Sequence, residues 1–161
     1  FMYLEDADLC WRLRQAGFSS HVVPDSVVYH KYHYPDRSRY YYYLERNRWW
    51  VLLSYYRLAT LALLGPALAF MELGQWLFAA AHGLAGQKLR SCLFFTRPGA
   101  LAALVRRRHR ARRRRALSDR RFTAVFCGEI DFPALASPLL RYVANPLLRA
   151  YWAVARRLMF W

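Results

Sequence analysis

FMYLEDADLCWRLRQAGFSSHVVPDSVVYH, residues 1–30, is the stretch on which the predicted fold depends. Its centre, Glu5-Asp6-Ala7-Asp8, holds three carboxylates in four residues, and a short helical run, Leu9–Ala16, comes next. Carboxylates favour helix starts because the helix N-terminus attracts negative charge and its free amides need acceptors. Gly17 adopts left-handed backbone at little cost, so it is predicted to end this helix.

A β-like run, Val22–Tyr29, follows the helix. It is rich in valine and is interrupted by Pro24-Asp25-Ser26, a sequence typical of turns. We therefore predict a chain that is mainly α-helical, with a small β element near its start.

Taken in this order, the parts resemble the end of the catalytic domain of family-2 glycosyltransferases, especially bacterial rhamnosyl- and galactofuranosyl-transferase-like enzymes. The resemblance covers about the first 50 residues. It implies that the chain opens with the C-terminal end of a GT-A-like, Rossmann-like α/β domain and continues into membrane-associated helices. The matching residues are Glu5-Asp6-x-Asp8-Leu9-Cys10-Trp11-Arg12, Arg14, Gly17, Val28-x-His30 and Arg46-Asn47.

The same resemblance implies roles for individual residues. Asp6, the second acid of the pair, corresponds to the catalytic base, and Glu5 orients it or acts on it as a neighbouring charge. His30, 24 residues beyond Asp6, corresponds to a metal ligand, with His33 as a rival. Asp8 and Arg12 are assigned to helix capping or to contact with the acceptor.

The chemistry of sugar transfer explains why these residue types are needed. A base must take the proton of the acceptor hydroxyl, and in an inverting displacement one carboxylate is enough. The leaving diphosphate develops negative charge, which a divalent cation, Mn²⁺ or Mg²⁺, stabilises. The expected partners are a nucleotide-sugar donor and a glycan or polyprenyl-linked acceptor, in the assembly of bacterial cell-envelope polysaccharide.

Charge and composition point to a membrane surface. The formal net charge is +15 and hydrophobic residues make up 57% of the chain, a combination that suits contact with anionic lipid. Three cysteines without a paired spacing indicate a reducing compartment. No repeated βαβ pattern, nucleotide-binding loop or Asp-x-Asp is present, so we expect a C-terminal part of a longer enzyme that is inactive alone.

Three regions are expected: the catalytic end (1–48), an apolar membrane-associated hairpin (49–86) and a basic amphipathic tail (87–161). Trp49 and Trp50 are predicted interface anchors, and Gly65-Pro66 is predicted to bend the apolar segment. A bent membrane hairpin and an amphipathic pair lying in the interface both fit, as does a soluble helical core. Basic residues on both flanks favour the cytoplasmic face of the cell membrane.

The residues 106–121 include ten arginines in sixteen positions. Beside an apolar segment, such a run is expected to bind lipid phosphates. A nucleic-acid-binding module is the first rival function, although the neighbouring membrane-like segment disfavours a nucleic acid partner. A non-catalytic membrane anchor is the second. The arginines assigned to anionic lipid are Arg106, Arg107, Arg108, Arg112, Arg113, Arg114 and Arg115.

Overall fold

The structure, a computed structural model, describes residues 3–29, 31, 37–131 and 138–161. Within these ranges the regular structure is helical throughout. Short 3₁₀ turns cover Phe94–Thr96 and Thr123–Val125, and a π-helical turn covers Leu140–Ala144. The α-helices are α1 (Glu5–Gln15), α2 (Arg37–Tyr55), α3 (Leu58–Ala81), α4 (Ala85–Leu93), α5 (Pro98–Arg114), α6 (Asp119–Phe122) and α7 (Asn145–Leu158).

The predicted fold class is wrong in its β part. The described ranges contain no strand, so neither the small β element near Val22–Tyr29 nor the end of a Rossmann-like α/β domain is seen. The expected turn at Pro24–Asp25 is present, with the amide of Ser26 bonded to the carbonyl of Val23 at 3.0 Å. The valines around it stay exposed, because no neighbouring strand among the described residues offers their backbone a ladder.

Helix α1 starts four residues before its predicted beginning, at the acid pair itself, and ends where the sequence places its end. Gly17 has φ +94°, and its amide bonds to the carbonyl of Arg14 at 2.9 Å. The amide of Phe18 bonds to the carbonyl of Leu13 at 3.0 Å. This pair of bonds is the Schellman motif, in which the left-handed residue is usually glycine.

Helices α2 and α3 form an antiparallel pair. Arg48 of α2 pairs with Glu72 of α3 at 2.6 Å, and Tyr41, nearer the start of α2, donates to the carbonyl of Gln75 at 3.2 Å. The chain turns at Tyr56–Arg57, whereas α3 runs through Gly65-Pro66, where the sequence predicts a bend. The carboxylate of Asp119 accepts from the Arg57 amide at 2.9 Å and so caps the start of α3.

An aromatic core joins the two ends of the described chain. Phe122 and Tyr56 are buried, and the indole of Trp11 lies between them, with ring centroids 5.2 and 5.3 Å away. Phe126 stacks on the same indole at 5.1 Å, with an interplanar angle of 21°. Edge-to-face and offset aromatic pairs each add about 0.5–1.5 kcal/mol beyond burial, so Trp11 is a main link between α1 and the later helices.

A buried ion network ties α2, α3 and α4 together. Lys88 of α4 is fully buried and pairs with both Glu45 and Glu72. Arg48 pairs with the same two carboxylates at 2.9 and 2.6 Å, and the indole of Trp49 donates to Glu72 at 3.2 Å. Burial raises the pKa of Glu72, but hydrogen bonds from Lys88 and Arg48 outweigh it and hold that pKa below its ordinary value.

Candidate functional site

The acid pair opens α1 and faces solvent. Glu5 and Asp6 are the first two residues of the helix, and both are exposed. One carboxylate oxygen of Asp6 accepts from the amide of Ala7 at 2.7 Å, while the rest of the group stays accessible. The free amides at a helix start stabilise negative charge there. Asp6 is therefore a carboxylate that an incoming hydroxyl group can reach.

The backbone just before the pair is unusual. Tyr3 and Leu4 have φ of 64° and 60°, a left-handed conformation that residues with a side chain rarely adopt. Such a conformation costs on the order of 1–3 kcal/mol per residue and is kept only where surrounding contacts enforce it. Here the buried amide of Asn47 donates to the carbonyl of Tyr3 at 2.9 Å, and the Tyr40 ring packs edge-to-face on the Tyr3 ring at 4.7 Å.

Asn47 is itself held by its neighbour. The guanidinium of Arg46 donates to the Asn47 side-chain oxygen from two nitrogens, at 3.0 and 2.8 Å. Arg46-Asn47 and the acid motif are separated parts of the glycosyltransferase resemblance, and the fold bonds Asn47 to Tyr3, two residues before the acid pair. The sequence marks Asn47 as part of the matching pattern, but only the structure shows what it does.

Asp8 turns inward. Its carboxylate is buried, accepts from the hydroxyl of Tyr55 at 2.7 Å and forms ion pairs with Arg107 and, at 3.2 Å, Arg12. Burial and the neighbouring Asp8 raise the pKa of Tyr55, so its phenol stays protonated and donates. Asp8 thus joins α1 to α2 and α5, whereas Arg12 is exposed and pairs with Asp8 within α1. Asp8 does not cap the helix, and its carboxylate is not free for an acceptor.

Arg14 also serves to hold α1. Its guanidinium donates to the carbonyl oxygens of Phe122 and Arg121 at 2.7 and 2.9 Å. A Cβ added at Gly17 would lie 3.6 Å from the Cβ of Ala116, so the end of α1 is close to the segment after α5. Asp8, Trp11 and Arg14 of the motif therefore fix α1 in place, while Glu5 and Asp6 are exposed.

The predicted metal site is only partly visible. His30 and its rival His33 lie outside the described residues. Among the residues that are described, no three histidine, cysteine, aspartate or glutamate side chains gather as a cation site would require. Glu5 and Asp6 are the accessible acids of the motif, since Asp8 is occupied by arginine. The metal dependence and the ligand role of His30 therefore stay predictions.

Three of the seven arginines predicted to bind lipid make internal contacts. Arg107 pairs with Asp8. Arg108 donates to the carbonyl of Leu53 at 2.5 Å, and Arg115 donates to the carbonyl of Tyr55, so both cap the last turn of α2, whose carbonyls lack helical donors. The other four are exposed: Arg106, Arg112, Arg113 and Arg114.

The predicted tryptophan anchors, Trp49 and Trp50, are half-buried. Trp49 bonds to Glu72, and Trp50 packs against Phe94 with ring centroids 5.7 Å apart. Both side chains thus make contacts within the fold. Of the features predicted to contact a membrane, the apolar helix α3 is therefore the strongest that remains.

One face of α3 is exposed and entirely apolar. The helix has 24 residues, about 36 Å at the usual rise. Within the described ranges it is the one helix long and apolar enough to cross a membrane, as judged by length and composition. Its opposite face carries Thr60, Glu72 and Gln75, which bond to the rest of the fold. The exposed residues recur every three or four positions: Leu58, Ala59, Ala62, Pro66, Ala69, Phe70, Leu73, Gly74, Leu77, Ala80 and Ala81.

Comparison of the chain with protein-family models, with curated proteins and with solved structures finds no match. The proposed function therefore rests on the motif and on its geometry.

Proposed function

We propose that this chain carries the base-bearing helix of a membrane-associated, metal-dependent inverting glycosyltransferase that moves a sugar from a nucleotide-sugar donor to a glycan or lipid-linked acceptor. The observation that carries the proposal is the bond from the Asn47 amide to the carbonyl of Tyr3. It links Asn47 to the backbone two residues before Glu5, across 44 positions of the chain, and so holds the segment from which Glu5 and Asp6 project.

Asp6 has the properties that the base of such a transfer needs. It is exposed and lies at a helix start. Contacts of Asp8 and Trp11 hold its helix, and the bond from Asn47 holds the backbone just before it. Holding a base within hydrogen-bond reach of the acceptor hydroxyl converts a bimolecular proton transfer into one between fixed partners. A divalent cation, when bound, would offset the charge that develops on the leaving diphosphate.

Asn47→Leu tests the positioning. We expect kcat for sugar transfer to fall by roughly 10–100-fold, because a misplacement of about 1 Å at a catalytic group has an effect of that size. The KM for the donor should change little, since Asn47 contacts the backbone beside the base. The measurement is steady-state transfer by the enzyme that carries this chain, together with its free energy of unfolding.

The matched control is Asn145→Leu. Asn145 clamps a backbone segment in the same way, accepting from the Ile130 amide at 2.9 Å and donating to the Ile130 carbonyl at 3.1 Å, but far from α1 in sequence. Both variants should lose similar stability, and only Asn47→Leu should lose kcat. Equal kcat in the two variants would remove the support for the proposal.

We also propose that the exposed face of α3 lies in the plane of the membrane interface, with the exposed arginines of the 106–121 run on lipid phosphates. An in-plane helix needs one apolar face, whereas a spanning helix would bring Glu72 and its ion partners into the hydrocarbon at high cost. The polar contacts of the opposite face therefore support the in-plane arrangement over the spanning one.

Leu73→Glu with Leu77→Glu should weaken binding to vesicles of phosphatidylglycerol and phosphatidylcholine by at least about tenfold, since each leucine side chain contributes about 1.5–3 kcal/mol when buried. Both leucines are exposed, so the fold should tolerate the change. Val27→Glu with Val28→Glu, which alters two exposed aliphatic residues elsewhere, is the control. Carbonate should release the wild-type protein from membranes; retention, or equal loss of binding in both variants, would contradict the arrangement.

A further inference from the structure

A basic and aromatic cavity lies between the start of α2 and the end of α4. Its volume is about 400 Å³, within the usual range for small-molecule sites. None of the described residues on its wall is acidic. The wall is formed by Arg39, Tyr42, Tyr43, Arg90, Leu93 and Arg97.

Two of the three arginines of this cavity, Arg90 and Arg97, favour anion binding. Arg90 and Arg97 are both exposed, and neither is paired with a carboxylate in the part of the chain that the structure describes. Arg97 lies over the Phe94 ring at 6.0 Å and Arg39 over the Tyr43 ring at 5.8 Å. An aromatic face does not cancel the charge of a guanidinium group, and Arg90 and Arg97 have no carboxylate partner among the described residues, so the cavity attracts an anion.

The arrangement suits a phosphate group better than a carboxylate or a cation. Guanidinium forks match the tetrahedral oxygens of phosphate, and several of them together match the charge of a diphosphate. The tyrosine hydroxyls supply further donors, and Leu93 with the two rings leaves apolar wall for the remainder of an organic ligand. We infer that this cavity binds the phosphate or diphosphate group of an organic ligand.

The cavity is connected to the acid pair through one side chain. The Arg46 guanidinium lies over the Tyr43 ring at 4.7 Å and over the Phe94 ring at 5.1 Å, and it also holds Asn47. Asn47 in turn holds the backbone beside Glu5 and Asp6. The ligand of this class that the proposed transfer would bring here is the diphosphate of a lipid-linked acceptor, an assignment that rests on the proposed function.

Calorimetric titration of the chain with inorganic pyrophosphate tests the site. Arg90→Gln with Arg97→Gln should weaken pyrophosphate binding at least tenfold, whereas Arg141→Gln with Arg157→Gln, the same charge change on exposed arginines outside the 106–121 run, should weaken it less than twofold. Leu93→Trp, which fills the cavity and removes no charge, should weaken it as well and covers the case in which the double variant fails to fold. Equal weakening in the two arginine pairs, or no saturable pyrophosphate binding, would overturn the inference.

Two further probes distinguish a lipid-linked diphosphate from a nucleotide diphosphate as the ligand. Farnesyl diphosphate should bind tighter than both pyrophosphate and uridine diphosphate if the ligand is lipid-linked. Equal or tighter binding of uridine diphosphate would overturn the lipid assignment while supporting the phosphate site. Asp6→Asn should bind all three probes like the wild type, so a failure of the proposed transfer and a failure of this site give different results.

Discussion

Asp6→Asn is expected to lower kcat for sugar transfer by about 10²–10⁴-fold in the enzyme that carries this chain, the usual contribution of a positioned general base. The substitution removes the ability to accept a proton but keeps nearly the same volume. Asp6 is exposed and makes one short-range bond, to the amide of Ala7, so the fold should be unaffected. The measurements are steady-state transfer and the dissociation constant of the donor, which should stay within about twofold of wild type because donor binding does not need a base.

Asp25→Asn is the matched control. Asp25 is an exposed aspartate in the turn between the two valine pairs, and the same isosteric change there should leave kcat unaltered. Glu5→Gln separates the two acids of the pair, and its loss should be smaller than that of Asp6→Asn. A value of kcat near that of wild type for Asp6→Asn, or a larger loss for Glu5→Gln, would assign the base elsewhere.

Lys88→Met should destabilise the fold by about 3–5 kcal/mol, the range for breaking a buried ion pair from one side. Lys88 is fully buried between Glu45 and Glu72, and without it one buried carboxylate has no full counter-charge. Urea unfolding at neutral pH measures the change. Arg90→Met, an exposed cation on the same helix, should change stability by less than about 0.5 kcal/mol.

Acidification gives this prediction a second readout. The pKa of Glu72 is held below its ordinary value of 4.5 by Lys88 and Arg48, so the stability it contributes is full above that value and is lost as the pH falls through the lowered pKa. The difference between wild type and Lys88→Met should therefore shrink on acidification. A difference that is independent of pH, or a variant as stable as wild type at neutral pH, would show that packing rather than charge holds α4.

Local chemistry explains which parts of the fold the sequence predicts. The stop of α1 at Gly17 depends on amides and carbonyls a few residues away, so the sequence predicts it, whereas the helix starts four residues before its predicted beginning. The predicted β element is wrong because the valines within Val22–Tyr29 only favour an extended backbone. A strand also needs a neighbouring strand with which to form hydrogen bonds. The chain turns at Tyr56–Arg57, and not at Gly65-Pro66 where the sequence predicts a bend. The Arg57 amide is held there by Asp119, a residue far along the chain.

The candidate site shows the same division. The sequence is enough to identify the acidic cluster as a candidate site. It does not show that Asp8 is buried against Arg107 and Tyr55 while Glu5 and Asp6 are exposed. It likewise assigns seven of the ten arginines of the basic run to lipid, although Arg107, Arg108 and Arg115 of these seven pair internally or cap α2. Side-chain direction around a helix decides these roles, and it depends on partners 50 to 100 residues away.

The structure of the Asp6→Asn enzyme with an inert donor analogue and its acceptor tests the central claim most directly. The account predicts that the side chain at position 6 lies about 2.6–3.2 Å from the acceptor hydroxyl that attacks the donor. It also predicts that the Asn47 amide keeps its bond to the Tyr3 carbonyl in that complex. A reacting hydroxyl bonded to another carboxylate, with position 6 turned to solvent, would contradict it.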